Sequence, residues 1–270
     1  MITSASNTKI KHVSALISSK KERMSAGCFV IEGTKLFLEA PSKLIREVYI
    51  SENFNERLYG GDEYKLSDIM LELYNKLKET GYEVVSDSIF KKMSDTVTPQ
   101  GILCVIGIEQ VKLENVLSEY AGKPVKIIAL EGLQDPGNMG TIVRTSEAAG
   151  IDFILAGVNT VDIYSSKVVR STMGSIFRVP VVYTDNLYKD IELIKQNDVK
   201  VYAAHLKGEK SYRDVEYSER SMILIGNEGR GLTDEATATA DTLVKIPMCG
   251  KVESLNAAVA AAILMFETCR

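Results

Sequence analysis

A series of short apolar segments, separated by helical patterns, limits the second half of the chain to one broad class of fold. Several of these segments are apolar on both faces, which is typical of strands covered by helices on either side of a sheet. Helical crossovers of this kind join parallel strands. The six predicted strands span residues 126–130, 153–156, 181–183, 200–203, 222–225 and 243–246. The sequence therefore predicts an α/β domain with a mostly parallel sheet.

The first part of the chain shows an α/β alternation of its own. Ser6 or Asn7 can cap a first helix with its apolar residues on one stripe. Strands are predicted at residues 29–31, 48–50, 84–85 and 102–106. A charged, helix-prone stretch then ends at Lys123-Pro124, before the stronger strands begin. We therefore predict a small three-layer α/β domain over 1–107, a linker over 108–124 and a second domain over 125–270.

Composition excludes several functional classes. Apolar residues make up 45% of the 270 residues and charged residues 25%, as in ordinary globular proteins. The longest apolar stretch falls well short of the ~20 residues of a membrane-spanning helix, and the N-terminus lacks the apolar core of a signal peptide. Four scattered cysteines and only two histidines make a metal site improbable. We expect a cytoplasmic protein without metal or membrane partner.

The net charge of −4 conceals a basic N-terminal segment. Residues 1–46 contain eight Lys or Arg residues and three Glu residues, a local charge of +5. Because screening confines a charge's field to about 8–10 Å, such a face can attract phosphates even on an acidic protein. It can equally be an ordinary solvated helix surface. The basic residues nearest the N-terminus are Lys9, Lys11, Lys20, Lys21 and Arg23.

Three loops at predicted strand ends contain most of the polar residues that suggest chemistry. They read LEGLQDPGNMGTIVRTSEAAG from Leu130, ILIGNEGRGL from Ile223 and IPMCGKVESLNAAVAAA from Ile246. In open parallel sheets, ligands bind outside the carboxyl ends of the strands, where such loops meet. None of the three contains a dinucleotide-binding glycine pattern or a P-loop. Dinucleotide oxidoreduction and nucleoside triphosphate hydrolysis are therefore poorly supported.

Each polar residue in these loops also has an ordinary structural explanation. Arg144 can pair with Glu147 one helical turn later. Asn138 can be a turn residue or a helix N-cap. Ser254 is well placed as the N-cap of the last helix, with Asn256 in its first turn. Their joint occurrence at strand ends nevertheless favours a shared site.

The three motifs together resemble the signature of the SpoU branch of the SPOUT RNA methyltransferases. This resemblance covers residues 125–270, and SASNTKIKHVSAL with FVIEGTKLFLEA in the first domain resembles a ribosomal-protein-like substrate-binding domain. It implies an α/β catalytic domain with a deep C-terminal trefoil knot and S-adenosylmethionine bound in a bent conformation by the knot loops. It also implies an obligate homodimer with its sites at the interface.

The activity that the resemblance implies is methylation of a ribose 2′-hydroxyl in RNA. A ribosomal-protein-like first domain favours 23S ribosomal RNA over transfer RNA, with the basic N-terminal residues as RNA contacts. The implied catalytic positions are Asn138, Arg144, Glu228, Ser254 and Asn256. The implied cofactor contacts, largely through backbone groups, lie near Leu206, Gly226, Ile246, Met248 and Leu255. Ala257 stands where many members have a β-branched residue, a difference that affects packing rather than chemistry.

The role of Arg144 has two interpretations. The family proposal makes it the general base, but a guanidinium with a pKa above ~12 is not normally deprotonated. A protonated Arg144 that stabilises the developing alkoxide or holds a phosphate explains its presence equally well. Glu228, Asn138 and Ser254 would then fix the ribose and orient Arg144. Two alternatives remain for the whole chain: a catalytically inactive RNA-binding or assembly protein of this fold, and a nucleotide-binding enzyme of ordinary doubly wound topology.

Overall fold

The computed structural model describes residues 1–59 and 68–269 and divides into two compact units. The first unit comprises Met1–Glu109 together with Tyr164–Phe177. The second unit comprises Gln110–Ile163 and Arg178–Arg270. Residues 164–177 therefore pack with the N-terminal unit, although they lie within the range for which a single second domain is predicted.

The first unit contains a four-stranded mixed sheet. Its helices up to residue 109 are α1 (Thr8–Ser18), α2 (Lys20–Ala26), α3 (Thr34–Glu39), α4 (Glu52–Tyr59), α5 (Asp68–Thr80) and α6 (Asp87–Met93). Its strands are β1 (Cys28–Glu32), β2 (Ile45–Ser51), β3 (Glu83–Val85) and β4 (Ile102–Gly107). The strand order is β1-β4-β2-β3, with β2 and β3 parallel and the other pairs antiparallel.

The remaining elements follow in chain order. The helices are α7 (Leu113–Glu119), α8 (Pro136–Ala149), α9 (Ser166–Thr172), α10 (Leu187–Lys195), α11 (Asp234–Thr239) and α12 (Ala257–Thr268). The strands are β5 (Val125–Leu130), β6 (Phe153–Ala156), β7 (Val181–Tyr183), β8 (Lys200–Ala204), β9 (Lys210–Ser211), β10 (Arg220–Ile225) and β11 (Thr242–Lys245). Of these, α9 belongs to the first unit.

Alternating strand residues divide the core of the first unit into two layers. Val30 and Tyr49 face the layer of α1 and α6, whereas Ile31 and Ile50 face the layer of α3 and α5. Asn7 caps α1 as predicted, and its side chain accepts a hydrogen bond from the Lys9 amide at 2.9 Å. The unit thus has the three-layer arrangement that the sequence predicts.

Helix α9 joins the first unit through both apolar and polar contacts. Val169 is buried in the same layer as Ile31. The Asp95 carboxylate accepts a hydrogen bond from the Ser166 hydroxyl at 2.5 Å and pairs with Arg170 at 3.1 Å. These contacts explain why residues 164–177 pack outside the second unit.

The second unit is built on a seven-stranded sheet in which every described strand pair is parallel, with the order β7-β6-β5-β10-β8-β11-β9. This confirms the predicted mostly parallel α/β fold. Helices α7, α10 and α11 cover one face, and α12 packs on α8 and β10. Leu130 pairs with both Ile225 and Ala156, so the chain leaves β5, β10 and β6 at the same edge of the sheet. The trefoil knot stays a prediction.

The segment predicted as a linker contains helix α7. Its apolar residues Leu113, Val116 and Leu117 lie on one helix face and are buried in the core of the second unit. Most of residues 108–124 is therefore part of that unit.

Candidate active site

Helix α8 follows β5 after a five-residue loop, and its start is defined by Asp135 and Pro136. The Asp135 side chain caps the helix by accepting a hydrogen bond from the Asn138 amide at 2.8 Å. Proline suits the first helical position because its missing N–H would have no partner there. Asn138 is therefore not the N-cap, and its side chain, in a residue only 8% exposed, is available for other contacts.

The Glu228 carboxylate accepts hydrogen bonds from the start of α8. One oxygen accepts from the Asp135 amide at 2.9 Å and from the Asn138 side-chain nitrogen at 3.0 Å. The other oxygen accepts from the Gln134 amide at 3.1 Å. Glu228 thus joins the loop after β10 to the loop after β5.

The third loop joins this network through Asn256. Its side-chain nitrogen donates to the Asn138 oxygen at 2.9 Å. Its own oxygen accepts from the Ala258 amide at 2.9 Å and the Val259 amide at 3.3 Å, which makes Asn256 the N-cap of α12. The prediction that Ser254 caps this helix is wrong, because the helix begins two residues later than expected. Asn138, Glu228 and Asn256 form one hydrogen-bonded chain.

The surroundings of Glu228 favour its ionised form. Partial burial by itself would raise the pKa of the carboxyl, but the hydrogen bonds from the Asp135 amide, the Asn138 side chain and the Gln134 amide outweigh it, so the pKa lies below its ordinary value. An ionised carboxylate can only accept hydrogen bonds. This fixes the orientation of the Asn138 amide, with its nitrogen towards Glu228 and its oxygen towards Asn256.

Two features that sequence reasoning passed over hold the loop 226–231 in place. The Asn227 side chain donates to the Gly132 carbonyl at 2.8 Å and accepts from the Gly229 and Arg230 amides at 3.0 and 3.1 Å. The Asn-x-Gly spacing is a recognisable turn signal that pointed to this closure. At Gly226, an added Cβ would lie 2.3 Å from the backbone carbon of Gly231. Only glycine fits there.

A pocket of about 250 Å³ lies beside this network, where the chain leaves β8, β10 and β11. Its lining includes every predicted cofactor contact, namely Leu206, Gly226, Ile246, Met248 and Leu255. Glu228 and Ser254 also line it. Apolar walls with a few polar groups suit a nucleoside cofactor. The residues that line the pocket therefore fit S-adenosylmethionine.

Arg144 is not part of the Asn138–Glu228–Asn256 network. It lies six residues beyond Asn138 on α8, which corresponds to about 9 Å along the helix axis, and it is exposed. The expected pair with Glu147 does not form, since Glu147 binds Arg178 instead. Within residues 1–59 and 68–269, the Arg144 side chain has no hydrogen bond or ion pair. Ser254 is likewise exposed, at the pocket rim rather than in the network.

The basic N-terminal residues differ in their accessibility. Arg23 is only 4% exposed, and it donates hydrogen bonds to the Leu16 and Ile17 carbonyls at the end of α1. Its selection as an RNA contact is therefore wrong, because the turn between α1 and α2 directs it inward. Lys9 pairs with Glu83. Lys11, Lys20 and Lys21 are exposed.

The described residues contain neither a metal-binding cluster nor a membrane-spanning helix. No group of three or more His, Cys, Asp or Glu side chains in this part of the chain is placed to hold a metal ion. No helix among the same residues has the length and apolar character needed to cross a membrane.

Comparison with known proteins matches both halves of the chain. The model of the SpoU rRNA Methylase family matches residues 125–266, and that of the MRM3-like substrate binding domain matches residues 7–104. The 23S rRNA (guanosine(2553)-2'-O)-methyltransferase RlmP of Bacillus subtilis is 34% identical over 271 residues, which cover 98% of each chain.

Solved structures match over nearly the whole length. An rRNA methyltransferase from Sinorhizobium meliloti is 29% identical, with a TM-score of 0.81 over 99% of this chain and 96% of that one. The AdoMet-bound structure from the same organism is 28% identical, with a TM-score of 0.79 and the same coverage. These matches extend across both units.

Proposed function

Because the chain belongs to the SpoU rRNA Methylase family, we propose that it transfers the methyl group of S-adenosylmethionine to the ribose 2′-hydroxyl of a guanosine in 23S ribosomal RNA. The observation that best supports this is the position of Glu228, which lines the cofactor-sized pocket and also holds Asn138 and, through it, Asn256. The full-length similarity to a 23S rRNA guanosine 2'-O-methyltransferase supports the substrate.

The residues around the pocket have separate tasks in this proposal. When bound, S-adenosylmethionine supplies a methyl group on a positively charged sulfonium. Leu206, Ile246, Met248 and Leu255 enclose the cofactor and exclude water, and Gly226 lets its loop pass close to Gly231. The Asn138–Glu228–Asn256 network fixes the polar groups that face the ribose. Most of the rate gain then comes from alignment, which can supply effective molarities of ~10⁵ M or more.

A second copy of the chain completes the site in this proposal. Val259 and Phe266 on α12 are 47% and 55% exposed, and the partly buried Ile263 lies between them at helical spacing. An apolar helix face of this kind is suited to a subunit interface. Arg144, which has no partner among the described residues, then acts in the site of the other copy. There the protonated guanidinium stabilises the negative charge that develops on the ribose oxygen as the hydroxyl proton passes to solvent water.

The N-terminal unit holds the RNA in this proposal. Lys11, Lys20 and Lys21 supply exposed positive charge at its surface. We place the protein in the cytoplasm, where ribosomal RNA is modified, and its four cysteines are free thiols.

The direct test is to incubate the purified protein with labelled S-adenosylmethionine and RNA from a strain that lacks the gene. We expect one new alkali-resistant position at a guanosine of 23S RNA, and no label with an Asn138→Ala variant that still binds the cofactor. Label in transfer RNA alone would contradict the proposal that 23S ribosomal RNA is the substrate. Cofactor binding without any methylation would favour an inactive RNA-binding protein of the same fold.

Mixing two inactive variants tests whether Arg144 acts across a dimer. Arg144→Ala and Glu228→Gln should each be inactive alone. If Arg144 acts in the other copy, half of the dimers from an equal mixture are mixed and each has one intact site, so activity should return to about a quarter of wild type. An Arg144 that acts within its own chain would give no recovery.

A further inference from the structure

A second pocket, of about 570 Å³, lies on the other side of the loop 226–231 from the cofactor-sized pocket. Asn227, Arg230 and Gly231 line both. The other residues of the second pocket follow the carboxyl ends of β5, β6 and β7 and the start of α11. Of these residues, only Gln134 has a part in the proposed transfer, through its backbone amide, which donates to Glu228.

The floor of the second pocket is held rigid by Glu131. One carboxylate oxygen accepts from the Tyr188 hydroxyl at 2.6 Å and the Thr233 hydroxyl at 2.7 Å. The other oxygen accepts from the Thr233 amide at 2.9 Å. Because Glu131 is fully engaged, it sets the shape of the pocket and leaves recognition to other groups.

Three other charged side chains line this pocket and remain available. Asp185, Arg230 and Glu235 are all exposed. In the part of the chain that the structure describes, none of the three side chains makes a hydrogen bond or an ion pair. A ligand here therefore meets two carboxylate acceptors and one guanidinium donor.

The charges of the second pocket indicate what it can bind. Three carboxylates against one arginine repel a phosphate group. The described residues contain no cluster placed to hold a metal ion. A nucleobase edge that offers N–H donors beside an acceptor fits, and guanine has this combination: N1–H and N2–H donors next to O6 and N7 acceptors.

The second pocket also borders the proposed ribose site, because the two share Gln134. Gln134 lines it, and the amide of the same residue donates to Glu228 at 3.1 Å. A ribose held at the Glu228 network therefore places its base close to the second pocket.

We propose that the second pocket receives the base of the target guanosine, with Asp185 and Glu235 accepting from N1–H and N2–H and Arg230 donating to O6. This inference rests on the proposed function, because it assigns the base whose ribose is methylated. The enzyme would then recognise the target base independently of the RNA contacts made by the N-terminal unit.

The test uses a short RNA that contains the methylated nucleotide, made with guanosine, inosine or adenosine at that position. Inosine lacks only the 2-amino group, whereas adenosine also lacks O6 and N1–H. The wild-type kcat/KM should favour guanosine over inosine by about tenfold or more. One of Asp185→Asn and Glu235→Gln removes the acceptor of N2–H and should reduce that preference several-fold. The other removes the acceptor of N1–H and should reduce the preference for inosine over adenosine. Arg230→Ala should slow guanosine and inosine alike and so reduce their preference over adenosine.

Two controls distinguish a loss of base recognition from a general effect of removing a charge and from weaker cofactor binding. Asp234→Asn removes the same charge beside Glu235, at a residue that does not line the pocket, and should leave all preferences unchanged. Cofactor affinity by calorimetry should be unaltered in Asp185→Asn and Glu235→Gln. The inference would be overturned, with the proposed function intact, by either of two results. One is a wild type that methylates all three RNAs equally, and the other is a set of variants whose preferences equal those of the wild type. A wild type that methylates no RNA would overturn the proposed function, and the inference with it.

Discussion

Replacing Asn138 with aspartate tests the central contact of the site. The substitution puts an oxygen where the side-chain nitrogen now donates to Glu228 at 3.0 Å, and it keeps the oxygen that accepts from Asn256. Two carboxyl groups would then compete for one proton. At 3.0 Å the repulsion between two ionised groups is about 5 kcal/mol for an effective dielectric constant of 20 and about 1.4 kcal/mol in bulk water. Because Glu228 is exposed, we expect about 1–3 kcal/mol, or about 1–2 pKa units.

The stability that this pair of residues contributes changes with pH in opposite directions in the wild type and in Asn138→Asp. In the wild type the pKa of Glu228 is lowered, so its contribution to stability is present above the unfolded pKa and is lost as the pH falls. In Asn138→Asp one carboxyl of the pair has a pKa raised above its unfolded value of about 4. The deficit of the variant relative to the wild type should therefore be smallest near pH 4.5 and should grow by about 1–2 kcal/mol as the pH rises to 8.

Urea unfolding followed by circular dichroism between pH 4.5 and 8.5 measures this difference directly. Asn138→Ala is the matched control, because it removes the hydrogen bonds without adding a charge. Above pH 5.5 its destabilisation should be constant, since Glu228 stays ionised throughout. Parallel pH profiles for the aspartate and alanine variants would show that Asn138 and Glu228 are not in contact.

Three further substitutions, two of them paired with a control variant, test the roles of single residues. Arg144→Ala should lower turnover by roughly 100-fold or more with cofactor affinity unchanged, as measured by steady-state kinetics and calorimetry; near wild-type activity would remove Arg144 from the mechanism. Gly226→Ala should weaken cofactor binding by at least about tenfold, because its Cβ meets backbone at 2.3 Å. Gly229→Ala, whose nearest contact is at 3.7 Å, should change that affinity little. Arg23→Ala should cost about 1–3 kcal/mol in urea unfolding, since two helix carbonyls lose their donor. Lys21→Ala should leave stability unchanged and should reduce the slope of log binding constant against log salt concentration by about one. If Arg23→Ala instead reduced this slope and left stability unchanged, Arg23 would be an RNA contact after all.

The parallel sheet could be predicted because burial on both faces leaves a strong apolar signal. All six predicted strands of the second unit appear, within one or two residues of their expected ends. The seventh, β9, has only two residues at the sheet edge. A strand that short has no periodicity, and its pairing is decided by where the β8 connection places the chain.

The inward turn of Arg23 and the packing of α9 could not be predicted, because both depend on distant partners. Arg23 alternates with exposed lysines in a basic segment, and only the break between α1 and α2 shows that it faces the end of α1. Helix α9 has an ordinary local pattern. Its place in the first unit depends on Asp95, which lies more than 70 residues earlier in the chain.

At the candidate site too, the sequence motifs identified the residues, but only the structure shows how they contact one another. The three motifs identified Asn138, Glu228 and Asn256 individually, but Asn138 could also be a turn or cap residue and Glu228 could form an ordinary salt bridge. The structure shows that Asn256 has two roles at once, since its oxygen caps α12 while its nitrogen binds Asn138. An amide can do this because it has a donor and an acceptor at opposite corners. Asn256 is therefore both the N-cap of α12 and the link between the third loop and Asn138.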